Sequence, residues 1–277
     1  MSLENQVIAV TGAGSGIGRA TAMYLANIGA RVGLLDIRSP QVVAETINQK
    51  HGENRAFACA CDVRSSGDVD KAFQSIVDAL GPLNGAVNLA GVVGKGRKLG
   101  TEEGRLKDLS DEEWERVVAT NLTGTKNCMR AELQRLSPSG GSIVNTASVA
   151  GQQGTPYNSA YAVSKAGVIS LTKSVAKETG KHNVRINAIS PGVVDTPLLD
   201  SFTDDSSRPG FMANTNALGR AAQPTEVAKM IAFLLSNDSS YCTGAVCLLP
   251  VCASVETKQP IDVKPIRYST STVVGNN

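Results

Sequence analysis

The chain has 277 residues, 42% of them hydrophobic, 19% charged and 27 of them glycine, which suits a well-buried core and excludes disorder and collagen-like repeats. With 27 Lys and Arg against 25 Asp and Glu, the net charge of +2 and an aromatic content of 4% argue against a phosphate-backbone binder or a base-stacking platform, so no nucleic-acid partner is expected. Met1–Val7 shows no basic segment leading into an apolar one, and no run of 18 apolar residues occurs, so the sequence reads as cytoplasmic, with no membrane partner.

Short runs rich in Val, Ile and Ala alternate with longer segments of helical period. Val7–Thr11, Arg31–Asp36, Phe57–Asp62, Gly85–Leu89, Ser142–Thr146, Val184–Ile189 and Ala245–Leu249 predict seven strands. Continuously apolar strands with intervening helices call for a parallel sheet covered on both faces. Right-handed crossovers then wind it into an α/β, doubly wound, three-layer domain. No linker divides the chain before about residue 250, so residues 1–250 read as one domain and 251–277 as a tail.

The first strand runs into Thr11-Gly12-Ala13-Gly14-Ser15-Gly16-Ile17-Gly18, which opens the helical run Arg19–Asn27. Glycines between a strand and a helix N-terminus allow a pyrophosphate to approach the backbone amides, and this context predicts a dinucleotide site. Asp36 ends the second strand 24 residues after Gly12, near the ~20-residue offset at which an acid binds the adenosine ribose. Its charge would repel a 2′-phosphate, so NAD is expected, while Arg38 keeps NADP open. Asp36 can also be read as a cap for the next helix, whose start is marked by Ser39-Pro40 as N-cap and first-turn proline. Ser65 or Ser66 caps the helix after that.

Asp62-Val63 closes the third strand and Asn88-Leu89-Ala90-Gly91 the fourth, at the carboxyl edge where open α/β sheets bind ligands. Asp62 is then placed to accept from an adenine amine, and Asn88 or the backbone around Ala90 and Gly91 to line the ribose and nicotinamide side. Each also reads as an ordinary strand-to-loop turn residue. From Trp114 to Leu136 the longest predicted helix carries a stripe of Val117, Val118, Leu122, Thr125, Cys128, Met129 and Leu133, and Asn121 falls within it. Ser148 ends the fifth strand 13 residues before Tyr161, and Tyr161 and Lys165 stand four apart on one helical face. A cation beside a phenol favours the phenolate and a general-base role. The six cysteines, Cys59, Cys61, Cys128, Cys242, Cys247 and Cys252, form no metal-type spacing and are expected to be reduced and buried. His51 and His182 read as surface residues, and no metal site is expected.

The joint pattern resembles the short-chain dehydrogenase/reductase family over roughly residues 5–249, in family order from the glycine loop through Asp36, Asp62-Val63, Asn88, Ala90-Gly91, Asn121, Ser148, Tyr161 and Lys165 to Pro191-Gly192. The resemblance implies a Rossmann fold in which Tyr161 is the acid/base, Lys165 modulates it and binds the ribose, and Ser148 anchors the substrate oxygen. It further implies that Asn121 holds a helix irregularity and a water linked to Lys165, and that Pro191, Val194 and Thr196 border the nicotinamide. The implied activity is the interconversion of a secondary alcohol and a ketone by a homodimer or homotetramer. A lid over residues 198–223, with Leu198, Leu199, Phe202, Phe211 and Met212, favours a hydrophobic substrate, and the loop Val92–Leu109 shares in selecting it. The long loop and tail look like members serving specialised metabolism. A redox-silent NAD-binding relative and a non-redox biosynthetic enzyme are the rival readings. The chain departs from the family at Leu89, where a second Asn is usual, and at Leu248-Leu249-Pro250-Val251-Cys252, where an acid and two glycines are usual.

Overall fold

The computed structural model describes residues 2–94, 104–200 and 218–249. Its strands are β1 (Val7–Thr11), β2 (Arg31–Asp36), β3 (Ala56–Ala60), β4 (Gly85–Asn88), β5 (Gly141–Thr146), β6 (Val184–Pro191) and β7 (Val246–Leu249). All pair in parallel in the order β3-β2-β1-β4-β5-β6-β7, the doubly wound sheet that the apolar runs predict. Three carboxyl ends differ from expectation, and three starts shift by one residue. β3 stops before Asp62, β4 ends at Asn88, and β6 continues through Pro191, where it pairs with Leu249 of β7. The unusual Leu248-Leu249 ending therefore still supplies an edge strand.

The helices are α1 (Gly16–Asn27), α2 (Gln41–His51), α3 (Ser66–Leu80), α4 (Asp111–Val118), α5 (Gly124–Leu133), α6 (Ala150–Gln153), α7 (Ser159–Thr179), α8 (Pro197–Asp200) and α9 (Pro224–Leu235). Successive strand residues face opposite sides, so Ile8 and Val10 join a core with α1, α2 and α9, while Val7 and Ala9 join another with α3, α5 and α7. Fully buried side chains such as Phe73, Ile76, Leu25 and Ile47 each contribute about 1.5–3 kcal/mol. Among the described residues, no helix is long and apolar enough to cross a membrane.

Ser65 caps α3 by accepting from the Asp68 amide at 3.2 Å. α2 begins one residue later than expected. Pro40 rather than Ser39 takes the N-cap position, and its carbonyl accepts from Val43 and Ala44. The predicted helix over 114–136 is three segments, because a π-helical turn at Ala119–Thr123 separates α4 from α5; the longest α-helix is α7, with 21 residues. Among the described cysteines only Cys61 and Cys128 are buried; Cys59, Cys242 and Cys247 are half-buried. Cys59 and Cys247 lie on the two edge strands, which have a neighbour on one side only, and Cys242 lies just before one of them. Cys252, the tail and most of the predicted lid fall outside the described residues.

Candidate active site

β1 and β4 are neighbours although two strands separate them in sequence, so strand order reverses there and a crevice opens at their carboxyl ends. The glycine loop fills the near side. Gly12 has φ 68°, and a Cβ on it would sit 2.8 Å from the Ala90 nitrogen, so a side chain fits neither the backbone nor the space. Ala13 N donates to the Leu35 carbonyl at 3.0 Å. Ser15 is the exposed N-cap of α1, and its hydroxyl makes no capping hydrogen bond. Beneath the loop, Thr11 Oγ1 accepts from Leu89 N at 3.1 Å and Ala90 N at 3.2 Å. Thr11→Val would leave both amides without their acceptor and is expected to destabilise the fold by about 1–3 kcal/mol, read by urea denaturation.

Asp36 does not cap α2. Its Oδ2 accepts from Gly14 N at 2.9 Å and its Oδ1 from Ile37 N at 2.8 Å, which places the carboxylate against the glycine loop. Asp62 is turned to Arg64, whose guanidinium lies 2.6 Å from Oδ2 and holds the carboxyl below its ordinary range. Its charge is thus already paired within the chain. Asn88 differs more. Its side chain is buried and donates to Glu132 at 3.2 Å and Asn145 at 2.9 Å, so it braces the interior instead of lining the crevice. The reason is strand alternation: Asn88 shares the face of Ala86, which packs toward α3, α5 and α7.

On the far side, Ser148 lies two residues beyond β5, close enough to Tyr161 for its side chain to lower the phenol's pKa. Ser148 Oγ also accepts from Ala150 N at 3.2 Å. Lys165 is buried, donates from Nζ to the Thr146 carbonyl at 2.7 Å, and lies 5.7 Å from the Tyr161 ring centre. Burial pushes the Tyr161 phenol up, against the lowering effect of Ser148, and pushes the Lys165 ammonium down to about 8. Desolvation, not the neighbouring cation, therefore dominates the phenol here, contrary to the simple ion-pair expectation.

Asn121 sits in the π-helical turn, fully buried. Its Oδ1 accepts from Val92 N at 2.8 Å, and its Nδ2 donates to Val92 O at 2.9 Å and Ser164 Oγ at 3.0 Å. Ser164 Oγ in turn donates to the Tyr161 carbonyl at 2.7 Å. A Cβ on Gly91 would lie 3.3 Å from Asn121 Oδ1 and 3.6 Å from Lys165 Nζ, so the end of β4 meets the Tyr161 helix directly. Gly16 likewise faces Thr196 across the loop, at 3.4 Å from the place of its missing Cβ. Val194 is buried and bridges to Ala222, and Pro191 closes β6. The structure thus gathers the glycine loop, Asp36, Ala90-Gly91, Asn121, Ser148, Tyr161, Lys165 and Thr196 at one sheet edge.

Residues 12–249 match the family model described as enoyl-(acyl carrier protein) reductase. The chain belongs to the short-chain dehydrogenase/reductase family. It is 38% identical over 250 residues to the short-chain dehydrogenase/reductase ABA4 of Pyricularia oryzae, covering 89% of this chain and 91% of that one. It is 38% identical over 245 residues to cyclohexanol dehydrogenase of an Acinetobacter species, covering 87% and 92%. Among solved structures, levodione reductase superposes with a TM-score of 0.82 at 31% identity, covering 89% of this chain and 96% of that one. As a short-chain dehydrogenase/reductase with this fold, the protein is expected to work with a nicotinamide cofactor and a small-molecule substrate.

Two side chains near the site escape the sequence reading. Arg116 Nη2 donates to the Val93 carbonyl at 2.6 Å and pairs with Glu113, which anchors the start of the loop after β4. Glu132 is buried beside Asn88. Its signal was available, since it lies four residues after Cys128 on the apolar stripe, where a carboxylate is out of place.

Proposed function

We propose that this short-chain dehydrogenase/reductase is an NAD(H)-dependent alcohol dehydrogenase or ketone reductase, interconverting a secondary alcohol and a ketone on a hydrophobic small molecule. The observation that carries the reading is the buried Lys165 ammonium 5.7 Å from the Tyr161 ring centre, on the helix beside the strand end that carries Ser148. The likeness to a cyclohexanol dehydrogenase supports the alcohol couple.

The residues fit a nicotinamide dinucleotide: a glycine loop that no side chain can fill, an uncommitted Ser15 hydroxyl at the N-terminus of α1, and the Asp36 carboxylate beside that loop. Ser15, Gly16 and Ile17 would hold the pyrophosphate, Asp36 the adenosine ribose, Val63 and Asp62 the adenine side, Lys165 and the Ala90-Gly91 backbone the second ribose, and Pro191, Val194 and Thr196 the nicotinamide. When bound, the cofactor supplies or takes up a hydride. Ser148 Oγ and the Tyr161 hydroxyl bind the substrate oxygen, and Tyr161 removes or returns the proton there. Burial opposes the phenolate, and the Lys165 ammonium, 5.7 Å from the ring centre, favours it electrostatically. Asn121 acts on Tyr161 through Ser164, holding the first turn of α7 to the end of β4.

The test is a fluorescence titration of the purified protein with NADH and NADPH, followed by a screen of hydrophobic alcohols and ketones with product analysis. Tighter NADH binding and reversible turnover of an alcohol–ketone pair is the expected result. Failure to bind either nucleotide would overturn the reading, and so would turnover that yields a product with no change in oxidation state. In the same titration Gly12→Ala is expected to weaken NADH binding at least tenfold, because its Cβ must displace the Ala90 backbone.

A further inference from the structure

Glu132 on α5 is a carboxyl group with no exposed surface. Its Oε2 accepts from Asn88 Nδ2 at 3.2 Å, while its Oε1 and Asn88 Oδ1 are both buried without a hydrogen-bond partner. A buried ionised carboxylate next to a buried amide oxygen would leave two acceptors facing no donor. A carboxylic acid removes both faults at once, because its O–H can donate to the amide oxygen while its C=O accepts from the amide N–H. The remaining Asn88 N–H donates to Asn145 Oδ1 at 2.9 Å, and Asn145 Nδ2 donates to Thr172 Oγ1 at 2.9 Å.

We infer that Glu132 is a neutral carboxylic acid that closes a cyclic two-hydrogen-bond pair with Asn88, and that it is a positioning residue for the helices carrying Asn121, Tyr161 and Lys165. The pair joins α5 to β4, and the chain through Asn145 and Thr172 continues to β5 and α7. Thr172 stands seven residues, two helical turns, after Lys165 and so lies on the same face of α7. The positioning role rests on the proposed reaction; the protonation state does not.

Burial raises the Glu132 carboxyl from 4.5 to about 8, opposed only by the Asn88 hydrogen bond, with no cation contributing. The other groups around it agree. Cys128, one turn earlier, and Cys61 beyond β3 are held as neutral thiols by burial. Arg130 of α5 and Arg135 just after it turn to Asp70 of α3, and Lys173 and Lys177 of α7 are exposed. Asn88, Asn145 and Thr172 do not titrate. Because the folded state holds this proton through the range from 4.5 to about 8 while the unfolded chain releases it, stability falls as pH rises through that window.

The deciding experiment compares wild type with Glu132→Gln, whose amide can make the same two hydrogen bonds without a titrating proton. The infrared difference spectrum between them in heavy water is expected to contain a carboxylic-acid C=O band that disappears above about pH 8. Glu132→Gln is expected to melt with wild type near pH 6. It should lose the decline in Tm, roughly 5 °C or more, that wild type shows on going to pH 9. Glu132→Ala is expected to lower Tm and kcat together, and Glu132→Gln to restore both. No acid band near neutral pH, or a glutamine variant melting well below wild type near pH 6, would overturn the neutral acid. An unchanged kcat in Glu132→Ala would overturn the positioning role. A wild type that turns over no alcohol or ketone would overturn the proposed function, leaving the band and the melts to decide the pair.

Discussion

Tyr161→Phe is expected to lower kcat for alcohol oxidation and ketone reduction by about 10²–10⁴-fold while NADH still binds. The substitution removes one oxygen and leaves the ring, so the packing of α7 against the site is kept. What is lost is the proton carrier and one of two hydrogen bonds to the substrate oxygen. The pH profile separates these losses. Burial raises the Tyr161 phenol, so the wild-type oxidation rate should climb with pH over the approach to that ionisation. The phenylalanine variant should be flat over the same range. A variant with near wild-type kcat, or one that keeps the rising limb, would assign the proton to another group. Ser148→Ala serves as the companion, since it removes the side chain whose effect on Tyr161 opposes that of burial and should move the rising limb to higher pH.

Asp36→Ala is expected to raise the Kd for NADH about 10–100-fold and to remove the preference over NADPH. Charge-assisted hydrogen bonds of the kind a carboxylate makes to ribose hydroxyls contribute about 1.5–3 kcal/mol, and its charge repels a 2′-phosphate. Asp36 also accepts from Gly14 N at 2.9 Å, so alanine loosens the loop as well. Asp36→Asn distinguishes the two effects, because an amide oxygen can still accept from Gly14 but carries no charge. Asparagine should recover most of the thermal stability lost in the alanine variant and still bind NADPH better than wild type does. Equal NADH affinity in all three proteins, measured by calorimetry, would remove Asp36 from the nucleotide site.

The number and parallel direction of the strands were legible in the sequence because the apolar runs are continuous, the helices between them are long enough for crossovers, and parallel crossovers have one hand. The glycine loop was legible for a similar local reason, since strand, turn and helix follow one another within residues 7–27. The Tyr161 and Lys165 spacing needed nothing beyond helical periodicity. Local rules failed where side chain and backbone of one segment serve different places. The Asn88 side chain is a brace under the sheet, while two residues on it is the Ala90 backbone that borders the glycine loop. The pairing of Asp62 with Arg64 two residues later was likewise not legible in the sequence.

Spacing and composition by themselves determined the doubly wound architecture and the placement of the glycine loop at its crevice, because each depends on chain-local periodicity and on the limited geometry of crossovers. Only the tertiary structure decided how those residues are charged and held. It put a π-helical turn under Asn121, sank Lys165 until its ammonium was pushed down to about 8, and sealed Glu132 against an amide. Desolvation and hydrogen-bond satisfaction depend on atoms brought together from distant parts of the chain, 44 residues apart for Asn88 and Glu132, and no local pattern carries that information.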